Sequence, residues 1–431
     1  MKKMYGRASA VLILSLLVIA GLIVYVLHYV DNGGDWALYF SRANSGSTGE
    51  VLDRKGERLA FCSATESLYS PDELTRRACY HIVGDYTGRT SSGVLTSFWN
   101  DLQGFSLLTG TTQAEAVQLN MTLDAHLCRT AYEAMAGRRG AVLVSNYKTG
   151  ELLCHVSTPS IDPLDANAVP EEGAYINRCF SAAFTPGSTA KLVTAAAAIE
   201  NIPDIFSRTF YCEGEYEVAG VPITCSGTHY TQTFEQALAN SCNVAFSQIA
   251  IKLGQDTMRK YMDDYGFLST HEVDGMITAA GSYPADFVGD PELGWSGVGQ
   301  STDLICPFSM LRLVSAIANG GELVTPHVLM TDEVYSTQLI KADTAYTLAQ
   351  MMSYNVAAHY EGSTNFPGLD LAAKTGTAET GTGQSHSWFV GFLNDEAHPY
   401  AFVVFIENGG GGLSGAGKTA NVILQSAVRN S

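Results

Sequence analysis

Basic side chains are scarce in this sequence: 25 Lys and Arg stand against 43 Asp and Glu, a formal net charge of −18 at pH 7. Nucleic-acid binding depends on Lys and Arg patches that neutralise phosphates, so this balance argues against a nucleic-acid partner. Charged residues make up 16% of the chain and hydrophobic residues 46%, which is ordinary for folded protein. The 431 residues leave room for two or three domains.

The signatures of metal and nucleotide sites are also missing. The nine cysteines include no Cys-x-x-Cys pair and no Cys/His group with zinc spacing, so neither a metal nor a cofactor is expected. Cys212 and Cys225 flank a 12-residue loop. An extracytoplasmic location would permit a disulfide between them, and the sequence leaves this pairing open. Residues 294–300 predict a glycine-rich turn, but they lack the strand-to-helix setting and the Gly-Lys-Ser/Thr ending of a phosphate loop.

An uncharged run follows a basic N-terminus. Residues 8–30 contain no Asp, Glu, Lys or Arg, and three basic residues precede them. The run is long enough to span a bilayer, and its basic flank is expected to stay in the cytoplasm. A cleavable signal peptide would have a shorter apolar region followed by small residues, whereas His-Tyr-Val-Asp stands at 28–31. We therefore predict a cytoplasmic tail at 1–7, a single-pass cell-membrane anchor at 8–30 and an extracytoplasmic remainder.

The segment that follows predicts a small α+β module. Residues 31–48 are polar and rich in Gly and Ser, which is typical of a linker. Residues 49–60 predict two short strands around a Lys55-Gly56 turn. No catalytic cluster is visible before residue 139, so residues 31–138 by themselves indicate only a small extracytoplasmic α+β module.

Strand-like and helix-like patterns alternate after residue 139. Runs at 140–144 and 151–156 predict a hairpin, and β-rich runs at 371–379, 387–392 and 400–406 predict adjacent antiparallel strands. The fold class is therefore α/β of the α+β type, an antiparallel sheet flanked by helices. Helical patterns cover residues 192–200, 233–254, 307–319, 343–358 and 419–428.

The stretch Pro186-Gly-Ser188-Thr-Ala-Lys191 carries the first chemical signal. Pro and Gly predict a turn, and the Ala-rich residues after Lys191 favour a helix that Ser188 would open. Residues three apart share a helix face, so the Ser188 hydroxyl and the Lys191 amine lie within reach of each other. Such a lysine can take the proton of a serine nucleophile if burial or a second cation lowers its pKa.

Each motif by itself has a simpler interpretation. Ser188 also fits a capping serine on a core helix, and Ser145-Asn-Tyr-Lys148 shows the same spacing inside the predicted hairpin. Ser241-Cys-Asn243 alone is typical of a helix-end cap, and Lys374-Thr-Gly alone of a turn. His386 is expected at the surface or at a strand end.

Together and in order, Ser188-Thr-Ala-Lys191, Ser241-Cys-Asn243 and Lys374-Thr-Gly-Thr377 resemble the Ser-x-x-Lys, Ser-x-Asn and Lys-Thr-Gly set of penicillin-binding proteins and serine β-lactamases. Residues 139–431 look like the transpeptidase domain of class B penicillin-binding proteins, and the resemblance implies that residues 31–138 form an N-terminal pedestal. The resemblance implies an all-helical part that carries the first two motifs beside the sheet.

The resemblance also implies a mechanism, peptidoglycan D,D-transpeptidation or carboxypeptidation through a serine acyl-enzyme. Ser188 would be the nucleophile and Lys191 its base, with Lys374 lowering the pKa of that base. Ser241 would relay protons and Asn243 would orient the substrate amide. Backbone N–H groups of Ser188 and Thr377 would form the oxyanion hole, and the substrate-binding residues would be Thr375, Gly376 and Thr377.

The implied partners are peptidoglycan stem peptides, β-lactam antibiotics, the membrane and a membrane glycan polymerase. Two alternatives stay open. One is a β-lactamase or β-lactam sensor, although the class A Glu-x-x-Leu-Asn stretch is missing soon after Ser241; a class D-like mechanism with a carbamylated Lys191 is compatible with the sequence. The other is a catalytically inactive scaffold for the polymerase.

Overall fold

The structure, a computed structural model, separates into two units. The linker expected at 31–48 lies outside the described residues, except for Asp31. The described residues are 2–31, 49–62, 67–86, 89–90, 92–98, 102, 105–106, 110–111, 117–165, 167, 169–284, 286–381 and 383–430.

The first unit consists of residues 1–50, 60–68 and 98–118. It begins with α1 (Lys2–Asp31), whose apolar side chains are exposed along the helix. The part from Gly6 to Val30 is long and apolar enough to cross a membrane, in agreement with the apolar span predicted at 8–30. The other elements before residue 121, of which α2 and α3 belong to the second unit, are β1 (Gly49–Leu52), β2 (Arg58–Cys62), β3 (Ser67–Tyr69), α2 (Glu73–Val83), α3 (Val94–Ser97), β4 (Phe105–Ser106), β5 (Gly110–Thr111) and β6 (Gln118–Asn120).

The second unit comprises residues 51–59, 69–97 and 119–431 and is built on a five-stranded sheet. All neighbouring pairs are antiparallel, and the strand order is β17-β18-β19-β7-β8. Both the predicted hairpin and the three predicted neighbouring strands are confirmed. The strands are β7 (Gly140–Asn146), β8 (Leu152–Thr158), β17 (Leu371–Glu379), β18 (Ser385–Leu393) and β19 (Tyr400–Ile406).

Helices cover this sheet, which is why every residue of β8 and β19 is buried. The unbroken apolar run of β19 suits a strand that is covered on both faces. Helix α10 (Pro307–Ala318) packs on β7, β18 and β19, whereas α2 and α4 (Ala125–Met135) pack against β8. Helix α13 (Lys418–Arg429) packs against α4. The bounds of α10 and α13 agree with the predicted patterns to within one residue.

A helical part lies beside β17 and carries the first two motifs. Two predictions were wrong here. The helix expected over 233–254 is two helices, because Ser241 takes a left-handed backbone conformation (φ 53°) and Cys242 caps the second one. The turn expected from residue 294 begins only after Ser296. The helices are α5 (Lys191–Asn201), α6 (Phe234–Ala239), α7 (Asn243–Leu253), α8 (Gln255–Asp264), α9 (Asp290–Ser296), α11 (Ala342–His359) and α12 (Gly362–Asn365).

Short strands complete the second unit as two-stranded antiparallel ribbons. Two of these ribbons, β9 with β12 and β10 with β11, lie between the first two motifs along the chain. The strands are β9 (Thr209–Cys212), β10 (Glu215–Val218), β11 (Val221–Thr224), β12 (Tyr230–Thr233), β13 (Glu272–Val273), β14 (Met276–Ile277), β15 (Glu322–Val324) and β16 (Ser336–Gln338).

Candidate active site

Ser188 lies in a single 3₁₀ turn, Gly187–Thr189, that leads directly into α5. The prediction that Ser188 opens a helix is therefore confirmed. Glycine is required before it, because Gly187 has φ 54° and a Cβ there would lie 2.6 Å from the Thr377 carbonyl oxygen. The Gly187 N–H donates to the Gly299 carbonyl (2.9 Å), which ties the turn to the loop after α9.

Lys191 reaches back from the first turn of α5 and is fully buried. Its Nζ lies 2.9 Å from Ser188 Oγ and 2.7 Å from Asn243 Oδ1. It also lies 2.6 Å from the Ser241 carbonyl oxygen and 3.3 Å from Ser241 Oγ. The first two motifs therefore meet at one amine.

Burial lowers the pKa of Lys191 from its ordinary value of 10.5 to about 7, although the Cys225 and Cys242 thiols oppose this change. A buried ammonium loses hydration, which favours the neutral amine. The Phe246 ring, whose centroid is 5.8 Å from Nζ, contributes to the apolar surroundings. A lysine that is partly neutral near pH 7 can accept the proton of Ser188.

Lys374 is the second buried cation of the site. Burial, and then the charge of Lys191, lower its pKa well below the ordinary value. The resemblance implied that Lys374 would lower the pKa of Lys191. In the structure, burial is the largest cause of the lowered pKa of both lysines. Lys374 Nζ donates to Ser241 Oγ (3.0 Å) and to the Thr375 carbonyl (2.9 Å).

Ser241 lies between the two lysine amines. Its strained backbone, in the left-handed region where few non-glycine residues occur, directs both the hydroxyl and the carbonyl oxygen toward Lys191. Because Ser241 Oγ also accepts from Lys374, a proton can pass between the Lys191 amine and a group bound in the cleft through this hydroxyl.

The third motif lies on β17 at one end of the sheet order. Gly376 is packed against the Ser188 turn: a Cβ there would lie 2.8 Å from the Pro186 carbonyl oxygen. Thr377 Oγ1 accepts from the Gly412 N–H (3.2 Å), and its carbonyl accepts from Gln300 (3.3 Å). The hydroxyl of exposed Thr377 is thereby oriented at the rim of the cleft.

The motifs enclose a cleft of about 500 Å³ between β17 and the helical part. Five of the eight predicted site residues line it, and Lys191, Lys374 and Gly376 are buried behind them. The second Ser-x-x-Lys copy lies elsewhere, because Ser145 is in β7 and exposed Lys148 donates to Asn319. The cleft is lined by Ser188, Thr224, Cys225, Ser226, Ser241, Asn243, Trp295, Gln300, Thr375, Thr377 and Glu379.

Comparison with known proteins decides the family. The model of the penicillin-binding protein transpeptidase domain matches residues 140–427. The chain belongs to the penicillin-binding transpeptidase family. Within that family, stage V sporulation protein D of Bacillus subtilis is 28% identical over 309 residues, which cover 66% of this chain and 48% of that relative.

A second relative is peptidoglycan D,D-transpeptidase PbpA of Mycobacterium tuberculosis, 29% identical over 317 residues, which cover 65% of this chain and 64% of PbpA. The chain thus spans 48% and 64% of the lengths of these two relatives. The structure of penicillin-binding protein A from M. tuberculosis, a ceftriaxone acyl-enzyme complex, superposes with a TM-score of 0.77 at 22% identity and covers 89% of this chain and 99% of that one. This likeness confirms the α+β fold.

Tyr360 is a part of the candidate site that the sequence did not reveal. It ends α11, is 5% exposed, and its hydroxyl lies 3.1 Å from both the backbone nitrogen and Oγ1 of Thr375. A single tyrosine in a helix C-cap has no local signature, so only the packing of α11 against β17 shows its role.

Replacing Tyr360 with phenylalanine should slow acylation by a fluorescent penicillin about tenfold, because the Thr375 N–H loses its partner at a cost of about 1–2 kcal/mol. The measurement is the second-order rate constant of labelling, with thermal melting to verify folding. Tyr346→Phe is the matched control, since Tyr346 is 67% exposed on the same helix. An unchanged rate in Tyr360→Phe would show that Thr375 is held by other contacts.

His386 lies at a strand end, one of its two expected places. It is the second residue of β18 and is half-buried. Its ring packs edge-on against Phe405 at 5.3 Å, and Nδ1 accepts from the Asn408 N–H. The residue supports the sheet and does not line the cleft.

The cysteine prediction also needs correction. The Cys212 and Cys225 thiols are free, and with His229 and Cys242 they form a Cys/His cluster that the sequence analysis had excluded. Twelve residues separate Cys212 from Cys225 and His229 from Cys242, which is longer than most zinc motifs. The short Cys225-x-x-x-His229 spacing is the one local signal that was available.

Proposed function

We propose that the chain is a peptidoglycan D,D-transpeptidase acting through an acyl-enzyme on Ser188. The observation that carries this proposal is the 2.9 Å contact between Ser188 Oγ and the fully buried amine of Lys191. A serine becomes an effective nucleophile when a neighbouring base takes its proton, and this lysine has the lowered pKa that the task requires.

In the first step, Ser188 Oγ attacks the carbonyl carbon between two D-alanines of a stem peptide while its proton moves to neutral Lys191. The tetrahedral intermediate collapses, the C–N bond breaks, and Ser241 passes a proton to the leaving D-alanine amine. In the second step, the amine of a neighbouring stem peptide attacks the ester. Its proton returns through the same groups to Ser188 Oγ, and the cross-link forms.

The other residues of the site bind and orient the substrate in this proposal. Backbone N–H groups of Ser188 and Thr377 form the oxyanion hole, and Asn243 orients the substrate amide. The hydroxyls of Thr375 and Thr377, beside Gly376, bind the terminal carboxylate. The Lys374 amine donates to Ser241 Oγ and so orients the hydroxyl that relays protons, and no metal takes part in the chemistry.

The domain organisation is proposed on the same grounds. Residues 1–7 are a cytoplasmic tail and 8–30 a membrane anchor, supported by the apolar α1. Residues 31–138 are a pedestal and 139–431 the transpeptidase domain, supported by the family match over 140–427. The catalytic domain then works outside the cytoplasm, beside a membrane glycan polymerase that supplies new strands.

β-Lactam antibiotics are proposed as inhibitors that acylate Ser188. The ceftriaxone complex of the M. tuberculosis penicillin-binding protein A supports this by analogy of fold. Water can replace the acceptor amine in the second step, so some carboxypeptidase activity is part of the proposal.

The test is to incubate the full-length chain, purified in detergent, with a stem pentapeptide ending in D-Ala-D-Ala and a labelled D-amino acid as acceptor. We expect release of D-alanine and a product that contains the label, both followed by mass spectrometry. Rapid turnover of a chromogenic cephalosporin without the labelled product would identify a β-lactamase. Absence of D-alanine release, of labelled product and of any penicillin adduct would leave the scaffold alternative.

A further inference from the structure

Three cysteines and a histidine converge beside the second motif. The Sγ atoms of Cys212, Cys225 and Cys242 and one ring nitrogen of His229 all lie within 4.8 Å of one another. Cys212 and Cys242 are buried, and the other two residues are partly buried. Four donor atoms from three segments of the chain therefore lie close enough together to surround one metal ion, and four is the number of ligands in a structural zinc site.

The separations fit a tetrahedral ion. With Zn–S distances of about 2.3 Å and a Zn–N distance of about 2.0 Å, tetrahedral geometry requires S···S separations of about 3.8 Å and S···N separations of about 3.5 Å. Cys225 Sγ lies 3.9 Å from Cys242 Sγ and 3.6 Å from His229 Nδ1. A disulfide would require sulfur atoms about 2.0 Å apart, so this arrangement fits coordination better than a bridge.

Backbone N–H groups support two of the sulfurs. The Asn243 N–H donates to Cys225 Sγ (3.3 Å), and the Ala245 N–H donates to Cys242 Sγ (3.4 Å). Such donors stabilise thiolate ligands and fix their orientation in metal centres. The first turn of α7 therefore supplies both a ligand and the groups around it.

The surrounding ribbons lack an apolar core of their own. Three of the four residues are exposed in both β10 and β11, and two-stranded ribbons are marginally stable alone. Cys212 ends β9, Cys225 directly follows β11, and His229 precedes β12. A metal bound by these residues would fasten both ribbons to the N-terminus of α7.

We propose that Cys212, Cys225, His229 and Cys242 bind a structural zinc ion. Three thiols lose their protons on binding, the imidazole binds through a neutral nitrogen, and no oxidant is consumed. Thiolate and imidazole ligands in a tetrahedral set are the combination that zinc prefers.

The zinc ion also positions catalytic groups. Cys242 lies between Ser241 and Asn243, and the side chains of both neighbours contact the Lys191 amine. Cys225 and its neighbour Ser226 line the wall of the cleft. Because Cys242 and Cys225 bind the same ion, the second motif and the cleft wall are held in fixed positions relative to Ser188. This role goes beyond the proposed transpeptidation, and its first test does not depend on activity.

The test measures zinc per chain by elemental mass spectrometry, on full-length protein purified in detergent and loaded with Zn²⁺. We expect close to one zinc per chain in the wild type and less than about one tenth of that in Cys212→Ser and His229→Gln, because each removes a ligand. Cys179→Ser is the matched control, since Cys179 is an equally buried cysteine outside the cluster. A wild type that binds no zinc, or that carries a disulfide within the cluster, would overturn the proposal.

Replacing zinc with Co²⁺ in the wild-type protein tests the identity and geometry of the ligands. Co²⁺ bound by three thiolates and an imidazole should give intense sulfur-to-metal charge-transfer absorption together with the visible bands of a tetrahedral site. Octahedral spectra without charge transfer would contradict the ligand set.

The positioning role has its own readout. Stripping zinc with a strong chelator should slow penicillin acylation about tenfold or more, and adding Zn²⁺ back should restore the rate. An unchanged rate in zinc-free protein would disprove the positioning role, whereas loss of acylation with zinc fully bound would count against the proposed catalytic mechanism instead.

Discussion

The Ser188→Ala variant is expected to form no covalent adduct with a fluorescent penicillin, while the wild type forms a slowly released one-to-one adduct on Ser188. Removing the nucleophile of such a site lowers the rate by roughly 10⁴-fold or more, because binding and the oxyanion hole cannot replace the lost covalent step. The substitution is mild for the fold: Ser188 faces the cleft, and the flanking turn is held by Gly187 and Thr189. Labelling is followed by gel fluorescence and the modified residue by mass spectrometry.

The chain provides a matched control for this experiment. Ser145 also stands three residues before a lysine, but it is a buried residue of β7 whose Oγ lies 3.3 Å from Ser315 Oγ. Ser145→Ala should therefore label like the wild type. An adduct that persists in Ser188→Ala, on whichever residue, would show that Ser188 is not the nucleophile.

Lys191→Met is expected to lower the second-order acylation rate constant roughly 10³-fold. A general base contributes about 10²–10⁴-fold, and the acceptor for the Ser188 proton is lost in this variant. Methionine is close to lysine in length and suits the apolar surroundings, so the fold should be retained. Lys148→Met, the equivalent change in the second Ser-x-x-Lys copy, is the control and should have no effect.

The pH profile of the wild type gives an independent measure of the same base. Below about pH 7 the rate constant should rise about tenfold per unit of pH, since the neutral fraction of Lys191 rises by that factor, and it should level off above. The groups facing Lys191 are the Lys374 amine and the Cys225 and Cys242 thiols. A profile that continues to rise toward pH 10 would mean that Lys191 stays protonated, and the base would have to be sought elsewhere.

The sequence predicted the sheet well because its strands carry strong local patterns. The runs at 387–392 and 400–406 are rich in β-branched and aromatic residues between turns, and together with the run at 371–379 they form three strands of the central sheet. The first motif was readable for the same reason, since Pro-Gly and an Ala-rich run fix a turn followed by a helix. Local propensity and tertiary packing agree in these segments.

What the sequence could not show depends on contacts between distant residues. The helix expected over 233–254 is interrupted at Ser241 because two lysines from α5 and β17 hold that residue in a strained conformation. Tyr360 reaches Thr375 only because α11 packs on β17, and the Cys/His cluster gathers residues that lie up to 30 positions apart. The hydrophobic periodicity of a sequence does not indicate which distant residues come into contact.

Two lysines without contact to solvent also make this fold less stable than its packing alone would allow. The folded pKa of Lys191 is about 7 against 10.5 for an unfolded lysine, so between these values the unfolded chain binds more protons. The stability of the folded state therefore increases with pH across that window. Below about pH 7, burying this one ammonium costs on the order of 5 kcal/mol, which is comparable with the total free energy of unfolding of many proteins. The reactive amine therefore lowers the folding stability, and favourable packing in the rest of the transpeptidase domain must offset that loss.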